Sequence, residues 1–286
     1  MPVNAVARIV GEHDTRLWRV IRYYVDDARS RVSMKDVVSV AVDETSAAKG
    51  HSYVTVFTDV EQSKVLFVAP GNDPHTLDAF RQDVLAHGGD PLSIEQFCSD
   101  LSPAFISGIQ KHFPKSSLTF DKFHVSKLLG DAVDQVRRSE QRSRPELKRS
   151  RYVWLKNPSN LTEEQQSQIQ QLSKLNLKTA KAYQIRLTFQ DFWKQPKENA
   201  EAFLKQWYFW ATHSRLEPII KAAKSIKKHK KGIMEWFKSK ITNGLSEGLN
   251  SLIQSTKRKA RGYRTIENFI TMIYLTLGKL DFQLPI

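Results

Sequence analysis

Three acidic residues have the types and the settings that metal-dependent phosphodiester chemistry requires. Asp43 ends an apolar run that begins at Val37, Asp100 ends a second short run, and Glu247 lies in the helix-like segment 242–250. Mg²⁺ prefers oxygen ligands, and phosphoryl transfer without a covalent enzyme nucleophile needs carboxylates from separate elements to hold it. The pattern predicts that Asp43, Asp100 and Glu247 are catalytic residues that bind Mg²⁺ or Mn²⁺.

Alternating apolar residues predict the strands that position these carboxylates. Val38, Val40 and Val42 share one face of the first strand, so small residues and Asp43 share the other. Further strands are predicted at 53–60, 64–69, 94–98 and 118–120. The order of three strands, helix, strand, helix, strand, helix is that of the ribonuclease-H-like fold, an α/β fold with a mixed five-stranded sheet. Its strand ends would place Asp43, Asp100 and Asp121 near one edge.

The remaining segments predict four parts. Residues 1–34 form two short helices, either a partial helix-turn-helix or a helical arm on the main domain. Residues 35–137 form the first part of the catalytic core, and 138–240 form an all-helical insertion. Residues 241–286 form the last part of the core, with Glu247 and a C-terminal helix. The aromatic residues of the insertion are more typical of a helical core than of a base-stacking platform: Phe189, Phe192, Trp193, Phe203, Trp207, Tyr208 and Trp210.

The helix that carries Glu247 has two distinct faces. Leu245, Leu249, Leu252 and Ile253 form an apolar stripe, whereas Glu247, Asn250 and Gln254 share another face. Cations follow at the end of the helix. One surface therefore presents a carboxylate, then amides, then cations. This is the arrangement expected of a metal site that lies next to cations which bind DNA phosphates. The alternative is an ordinary amphipathic helix with a solvated face.

Composition points to a polyanionic partner. The 286 residues carry a net charge of +14, and clustered Lys and Arg release counterions from nucleic acid. Three basic clusters flank the predicted site and insertion, although single charge runs usually mark solvated faces. The residues that we predict to contact DNA are Arg137, Arg138, Lys148, Arg149, Arg151, Lys227, Lys228, Lys257, Arg258, Lys259 and Arg261.

Cysteine content and hydropathy exclude other classes of protein. The single cysteine, Cys98, excludes an internal disulfide and a cysteine-based zinc finger. The sequence shows neither a signal peptide nor an apolar run of the roughly 18 residues that a membrane span needs. We expect a cytoplasmic, nucleoid-associated protein with no membrane contact.

Several sequence blocks resemble one family closely, in wording and in order. They are Val42-Asp-Glu-Thr-Ser46 with Lys49-Gly-His-Ser-Tyr53, Ser99-Asp-Leu-Ser-Pro-Ala-Phe105, Phe120-Asp-Lys-Phe-His124, Leu147-Lys-Arg-Ser-Arg-Tyr152 with Leu155-Lys-Asn-Pro158, Asn160-Leu-Thr162, Thr242-Asn-Gly-Leu-Ser-Glu-Gly-Leu-Asn250, and Lys257-Arg-Lys-Ala-Arg-Gly-Tyr263. The chain resembles the DDE transposases of bacterial insertion sequences of the ISL3 type, from about residue 36 to 275.

The resemblance implies a ribonuclease-H-like domain, interrupted by helices, that binds a divalent metal and cuts and joins DNA at element ends. By motif, Asp43, Asp100 and Glu247 are its catalytic triad, and Asp121 and His124 are accessory. From the residues alone, His124 either contacts the scissile phosphate or a water, or is a packing residue. The implied partners are double-stranded DNA, at element ends and at the target, and further copies in a dimer or larger assembly.

Family members usually begin with a cysteine-rich zinc-binding segment and a complete helix-turn-helix. Because the sequence shows neither, we expect an N-terminally shortened copy. Two alternatives to a transposase stay open: a structure-selective nuclease or resolvase of the same fold, and a truncated, non-autonomous DNA-binding remnant.

Overall fold

The computed structural model describes residues 1–48, 50, 52–241 and 244–284, without the side chain of Leu245. Four residues of the motif blocks, Lys49, His51, Thr242 and Asn243, lie outside this description. The chain forms two compact units. The sheet unit comprises Met1–Asp121 and Ile241–Ile286, and the helical unit comprises Lys122–Lys240.

The sheet unit contains a mixed five-stranded sheet. Its strands are β1 Ser39–Ala48, β2 Ser52–Asp59, β3 Lys64–Pro70, β4 Gln96–Ser99 and β5 Ser117–Phe120. The strand order is β3-β2-β1-β4-β5, with antiparallel pairs from β1 to β3 and parallel pairs from β1 to β5. The predicted α/β class and mixed five-stranded sheet are confirmed, and β1 lies at the centre of the sheet. β1 continues past Asp43, so Glu44 lies on the opposite face of the sheet from Asp43.

The described chain also contains thirteen α-helices. The first four, in the sheet unit, are α1 Val3–Val10, α2 Asp14–Ser30, α3 His75–Ala86 and α4 Pro103–His112. Those of the helical unit are α5 Lys122–Glu140, α6 Arg151–Leu155, α7 Glu163–Ser173, α8 Lys178–Phe192, α9 Lys197–Thr212, α10 Glu217–Lys228 and α11 Lys230–Ser239. The sheet unit ends with α12 Gly244–Lys259 and α13 Ile266–Leu277. Among the helices described, none has both the length and the hydropathy needed to cross a membrane.

The two faces of the sheet bury different sets of side chains. On one face Val40, Val42 and Phe57 pack with α3 and α4, and the rings of Phe57 and Phe80 stack at 4.3 Å. The other face, which includes Asp43, packs Val54 and Val56 against α12 and α13. The catalytic candidates therefore lie on the α12 side, opposite the main aromatic core.

The N-terminal helices pack on the sheet unit. Gly11, in the left-handed conformation, ends α1 as its turn requires. Arg29 of α2 forms a bidentate ion pair with Asp83 of α3, at 2.7 and 3.0 Å. Arg22 of α2 donates to Asn268 of α13 at 2.6 Å. These long-range contacts attach α2 to α3 and α13 of the sheet unit, and whether the N-terminal helices are an arm or a partial helix-turn-helix stays a prediction.

The helical unit has its own aromatic core. Trp154 is fully buried, and its indole N–H donates to Ser150 Oγ at 3.0 Å. Of the aromatic residues expected there, Phe189, Phe192, Trp193 and Trp207 are buried, whereas Phe203 and Tyr208 are half-buried and Trp210 is exposed. The compact unit begins at Lys122 and not at 138, where the insertion was predicted to begin, because α5 packs on α6, α8 and α10.

Candidate active site

The pairing of the parallel strands brings three aspartates into one row. The β1–β4 register pairs Ala41 with Cys98, and two residues further along it reaches Asp43 and Asp100. The β4–β5 register ends with the pair Ser99 and Phe120, and the next residues of the two segments are Asp100 and Asp121. The backbone N–H of Asp121 donates to Ser99 O at 3.0 Å, which continues the ladder. Neighbouring strands are about 4.8 Å apart, so the aspartates lie side by side across the sheet, with Asp43 inside β1 and Asp100 and Asp121 directly after β4 and β5.

The pKa of Cys98 responds to the negative charge near this row of aspartates. The thiol is fully buried on the face that carries the aspartates, two residues before Asp100. Burial raises the pKa of Cys98, and the negative charges of Asp121 and Asp43 raise it further. Both carboxylates therefore act on the same buried group. The high pKa keeps the thiol protonated, so Cys98 fills the sheet and is not a nucleophile.

Asp43 and Asp100 are held by local hydrogen bonds. Asp43 is buried, and its Oδ1 accepts from the backbone N–H of Glu44 at 2.9 Å. Asp100 is half-buried, and its Oδ1 accepts from the backbone N–H of Ser102 at 2.8 Å, at the start of α4. These bonds fix both side chains, that of Asp43 within β1 and that of Asp100 directly after β4, as a site with a defined geometry needs.

Helix α12 lies along β1 through the amide face predicted from the sequence. Asn250 Nδ2 donates to Asp43 Oδ2 at 2.8 Å. One turn later, Gln254 Nε2 donates to Thr45 Oγ1 at 2.7 Å and to the Ser46 carbonyl at 2.9 Å. The polar face of α12 therefore turns toward the strand, and Asn250 joins α12 directly to a candidate catalytic carboxylate.

Glu247 lies on α12 one turn before Asn250, with an exposed side chain. The apolar stripe predicted for this helix holds in part, because Leu249 and Ile253 are buried but Leu252 is exposed. Across the described residues, no three His, Cys, Asp or Glu side chains are close enough together to hold a metal ion. The oxygen donors of the aspartate row fit a hard divalent cation by their chemistry. Glu247 lies on the helix that contacts Asp43, but its side chain does not complete a metal-binding group with the aspartates among the described residues.

His124 belongs to the helical unit. It lies in the first turn of α5, half-buried, with its ring edge-on to that of Phe123 at 5.6 Å. Lys122, two residues before His124, has its ammonium 5.5 Å from the centre of the Trp236 ring. An accessory role for His124 stays a prediction.

The positive charge of the chain is concentrated in the helical unit. Residues 122–240 contain 26 Lys and Arg against 11 Asp and Glu, a net charge of +15. The sheet unit contains 18 against 19, a net charge of −1. The helical unit alone therefore accounts for the basic character of the protein.

Seven of the predicted DNA contacts lie in this unit. The surroundings of one of them, Arg137, do not allow it to contact DNA. Arg137 is buried, with its guanidinium bound to Asp134 Oδ1 at 2.8 and 2.9 Å and to Gln141. Asp134, which the sequence analysis missed, also lies near the exposed Arg138 and Arg151, at 3.2 and 3.7 Å. The spacing was the sequence signal for these ion pairs, because Asp134 lies three residues before Arg137 and four before Arg138. Arg137 is therefore a structural residue.

The other predicted contacts of the helical unit are exposed: Lys148, Arg149, Lys227 and Lys228. In the sheet unit Arg258, Lys259 and Arg261 are exposed at the end of α12. Lys257 differs, because its Nζ donates to the Ser46 carbonyl at 2.7 Å and burial lowers its pKa. Lys257 thus anchors α12 to β1.

Comparisons with known proteins match the chain to one family. A family model described as "Transposase", for DDE transposases of ISL3 elements, matches residues 40–273. The chain is 29% identical to the transposase for insertion sequence element IS1001 of Bordetella parapertussis, over 95% of this chain and 68% of that protein. It is 25% identical to the transposase for insertion sequence element IS1557 of Mycobacterium tuberculosis, over 97% of this chain and 67% of that protein. Since the family model covers well over half of its length, the chain belongs to the DDE transposases of ISL3-type insertion sequences.

Proposed function

We propose that this protein catalyses metal-dependent DNA cleavage and strand transfer at insertion-sequence ends, on a ribonuclease-H-like fold. The observation that carries the proposal is the row formed by Asp43, Asp100 and Asp121 on three parallel strands, with Asn250 of α12 bound to Asp43. The sheet order, with β1 at its centre between an antiparallel and a parallel half, supports the fold. Family membership supports the reaction.

Each residue has a role that follows from its position. Asp43, Asp100 and Glu247 would hold a divalent metal, Mg²⁺ or Mn²⁺, which supplies activation of a water or 3′-hydroxyl and stabilisation of the leaving oxygen. Asn250 orients the Asp43 carboxylate through its amide, and the Glu44 N–H fixes the other carboxylate oxygen. Asp121, buried at the end of the row, and His124 have accessory roles.

Single substitutions test the assignment. Asp43→Asn, Asp100→Asn and Glu247→Gln should each abolish metal-dependent nicking and strand transfer in vitro, with an unchanged circular dichroism spectrum. Glu44→Gln is the matched control, since Glu44 neighbours Asp43 but lies on the opposite face and binds Asn72. Near-wild-type activity in any of the three variants would remove that residue from the site. Cleavage without joining of a 3′ end to a second duplex would favour a structure-selective nuclease.

The charge distribution supports a further part of the proposal, that the helical unit holds the DNA. Each phosphate that a cation neutralises contributes about −0.9 to the slope of log K against log salt. Replacing the exposed Lys148 and Arg149 by Ala should therefore reduce the magnitude of the slope by about two. The matched control replaces the exposed Lys35 and Lys111 of the sheet unit, and should leave the slope unchanged. Equal changes in both pairs would contradict a DNA surface on the helical unit.

The proposed partners are double-stranded DNA at element ends and at the target, and a second copy of the chain in the DNA complex. Light scattering of the protein with and without an end duplex tests the second partner. A particle with one chain per DNA under conditions that support strand transfer would refute it.

A further inference from the structure

Exposed aromatic side chains occur in the same unit as the positive charge. Among the described residues, five large apolar side chains of the helical unit are strongly exposed, and four of them are aromatic: Phe123, Tyr152, Phe209 and Trp210. In the sheet unit eleven are exposed, and Tyr23 is the one aromatic residue among them. Rings together with cations are the combination that binds bases and phosphates.

Two of these residues lie side by side on α9. The buried side of the helix is formed by Ala200, Leu204, Trp207 and Ala211. Phe209 is two residues from Trp207, about 200° around the helix, so it points directly away from the core. It is 64% exposed, and the neighbouring Trp210 is 38% exposed.

The ring of Phe209 is already part of a short stack. The exposed His213, one turn later, lies with its ring centre 4.0 Å from that of Phe209, at an interplanar angle of 30°. His213 Nδ1 is 2.7 Å from the Phe209 carbonyl oxygen, which fixes the imidazole in this position. The stack leaves Phe209 largely exposed, so a further flat group can be added to it.

Cations lie beside these rings. Lys205 is exposed one turn before Phe209, on the same face of α9. On α10, the ammonium of Lys227 lies 4.6 Å from the centre of the Tyr208 ring. We define Lys205, Phe209, Trp210 and His213 as the α9 aromatic face. It combines a ring stack with a cation placed to meet the phosphate that follows a stacked base.

We propose that the α9 aromatic face binds unpaired bases of DNA by stacking, while the surrounding lysines hold the backbone. The inference rests on the proposed function, because it takes DNA as the partner. The inference goes beyond that function because it assigns the binding of single-stranded or locally opened DNA to one surface. Duplex DNA presents its bases already stacked, so Phe209 gains little from it, whereas every unpaired base has a free face.

The test compares single-stranded and duplex binding by the full-length protein. Binding of a labelled oligo(dT) and of a duplex of the same length is measured by fluorescence anisotropy. Phe209→Ala should weaken oligo(dT) binding by at least about fivefold, since one base–aromatic stack commonly contributes that much or more. Duplex affinity should not change. Phe209→Trp should retain or strengthen oligo(dT) binding, and Phe209→Leu, which stays apolar but has no ring, should behave like Ala.

Two controls separate this proposal from others. Tyr23→Ala removes the exposed ring of the sheet unit and should leave oligo(dT) affinity intact. Asp43→Asn should lose cleavage and keep oligo(dT) binding, so failure of the stacking proposal and failure of the catalytic one give different results. Unchanged oligo(dT) affinity in Phe209→Ala would overturn the proposal, as would an equal loss for duplex. A change in oligomeric state without a change in oligo(dT) affinity would assign the face to a protein partner instead.

Discussion

Asn250 offers a direct test of how α12 serves the candidate site. Its amide donates to Asp43 Oδ2 at 2.8 Å, and the other oxygen of that carboxylate accepts from the Glu44 N–H. Asn250→Ala removes the side-chain donor and leaves the backbone donor in place. The carboxylate then loses the contact that fixes its orientation toward α12.

The size of the effect follows from the kind of bond that is lost. A hydrogen bond to a charged group contributes about 1.5–3 kcal/mol. Asn250 is half-buried, so water can replace part of the interaction, and the lower end of this range applies. Since about 1.4 kcal/mol corresponds to a factor of ten, we expect kcat/KM for metal-dependent nicking to fall about tenfold.

The assay measures nicking of a supercoiled or end-containing substrate as a function of metal concentration. Gln254→Ala is the matched control, because Gln254 is one turn further along α12 and binds Thr45 and Ser46, which carry no charge. Both variants should lower the unfolding temperature slightly, but only Asn250→Ala should reduce the rate. If Asn250→Ala keeps its activity within about a factor of two, or if Gln254→Ala loses as much, the orienting role of Asn250 is refuted.

Three further predictions concern the two units. Arg137→Ala should destabilise the protein in urea unfolding by about 1.5–3 kcal/mol, because Asp134 loses its hydrogen bonds to the buried guanidinium but keeps Arg138 and Arg151 nearby, and should leave the salt slope of DNA binding unchanged, unlike Arg138→Ala. Burial raises the pKa of Tyr274 to about 12, above its ordinary value, so the group stabilises the fold fully below about pH 10. About 2–3 kcal/mol should be lost between pH 10 and 12, and Tyr274→Phe should remove this pH dependence in unfolding titrations. Trp154→Ala should cost about 3–5 kcal/mol by the same urea assay, while the exposed ring of Tyr152 should be replaceable by Ala with little loss.

Much of the sheet could be predicted because its pattern is local. The alternation of Val38, Val40 and Val42 with small residues indicated both the strand and the face on which Asp43 lies. The register that aligns Asp43 with Asp100 could not be read from either segment, since pairing depends on the crossover between them. The helix periodicity of 242–260 predicted the amide face, and the structure adds which amide contacts which residue.

The errors have physical causes as well. Arg137 was grouped with its neighbours by charge, but at three residues from Asp134 it turns inward and becomes buried. The exposure of Phe209 and Trp210 was not visible, because an aromatic run in a helix does not show which rings face the core. The boundary at 138 followed a change in composition, whereas α5 packs as one continuous helix from Lys122 onward.

The insertion of the helical unit into the sheet unit determines the order in which the protein can fold during synthesis. The helical unit is contiguous, so its core can close as soon as residue 240 has left the ribosome. The sheet is complete at Phe120, yet the apolar cluster around Val54 and Val56 stays incomplete until Ile253 and Phe269 have been made, although Val25 of α2 is already present. The nascent chain therefore carries an incompletely covered apolar sheet face through the translation of over a hundred residues. We expect this sheet face to be the part of the nascent protein that most needs a chaperone.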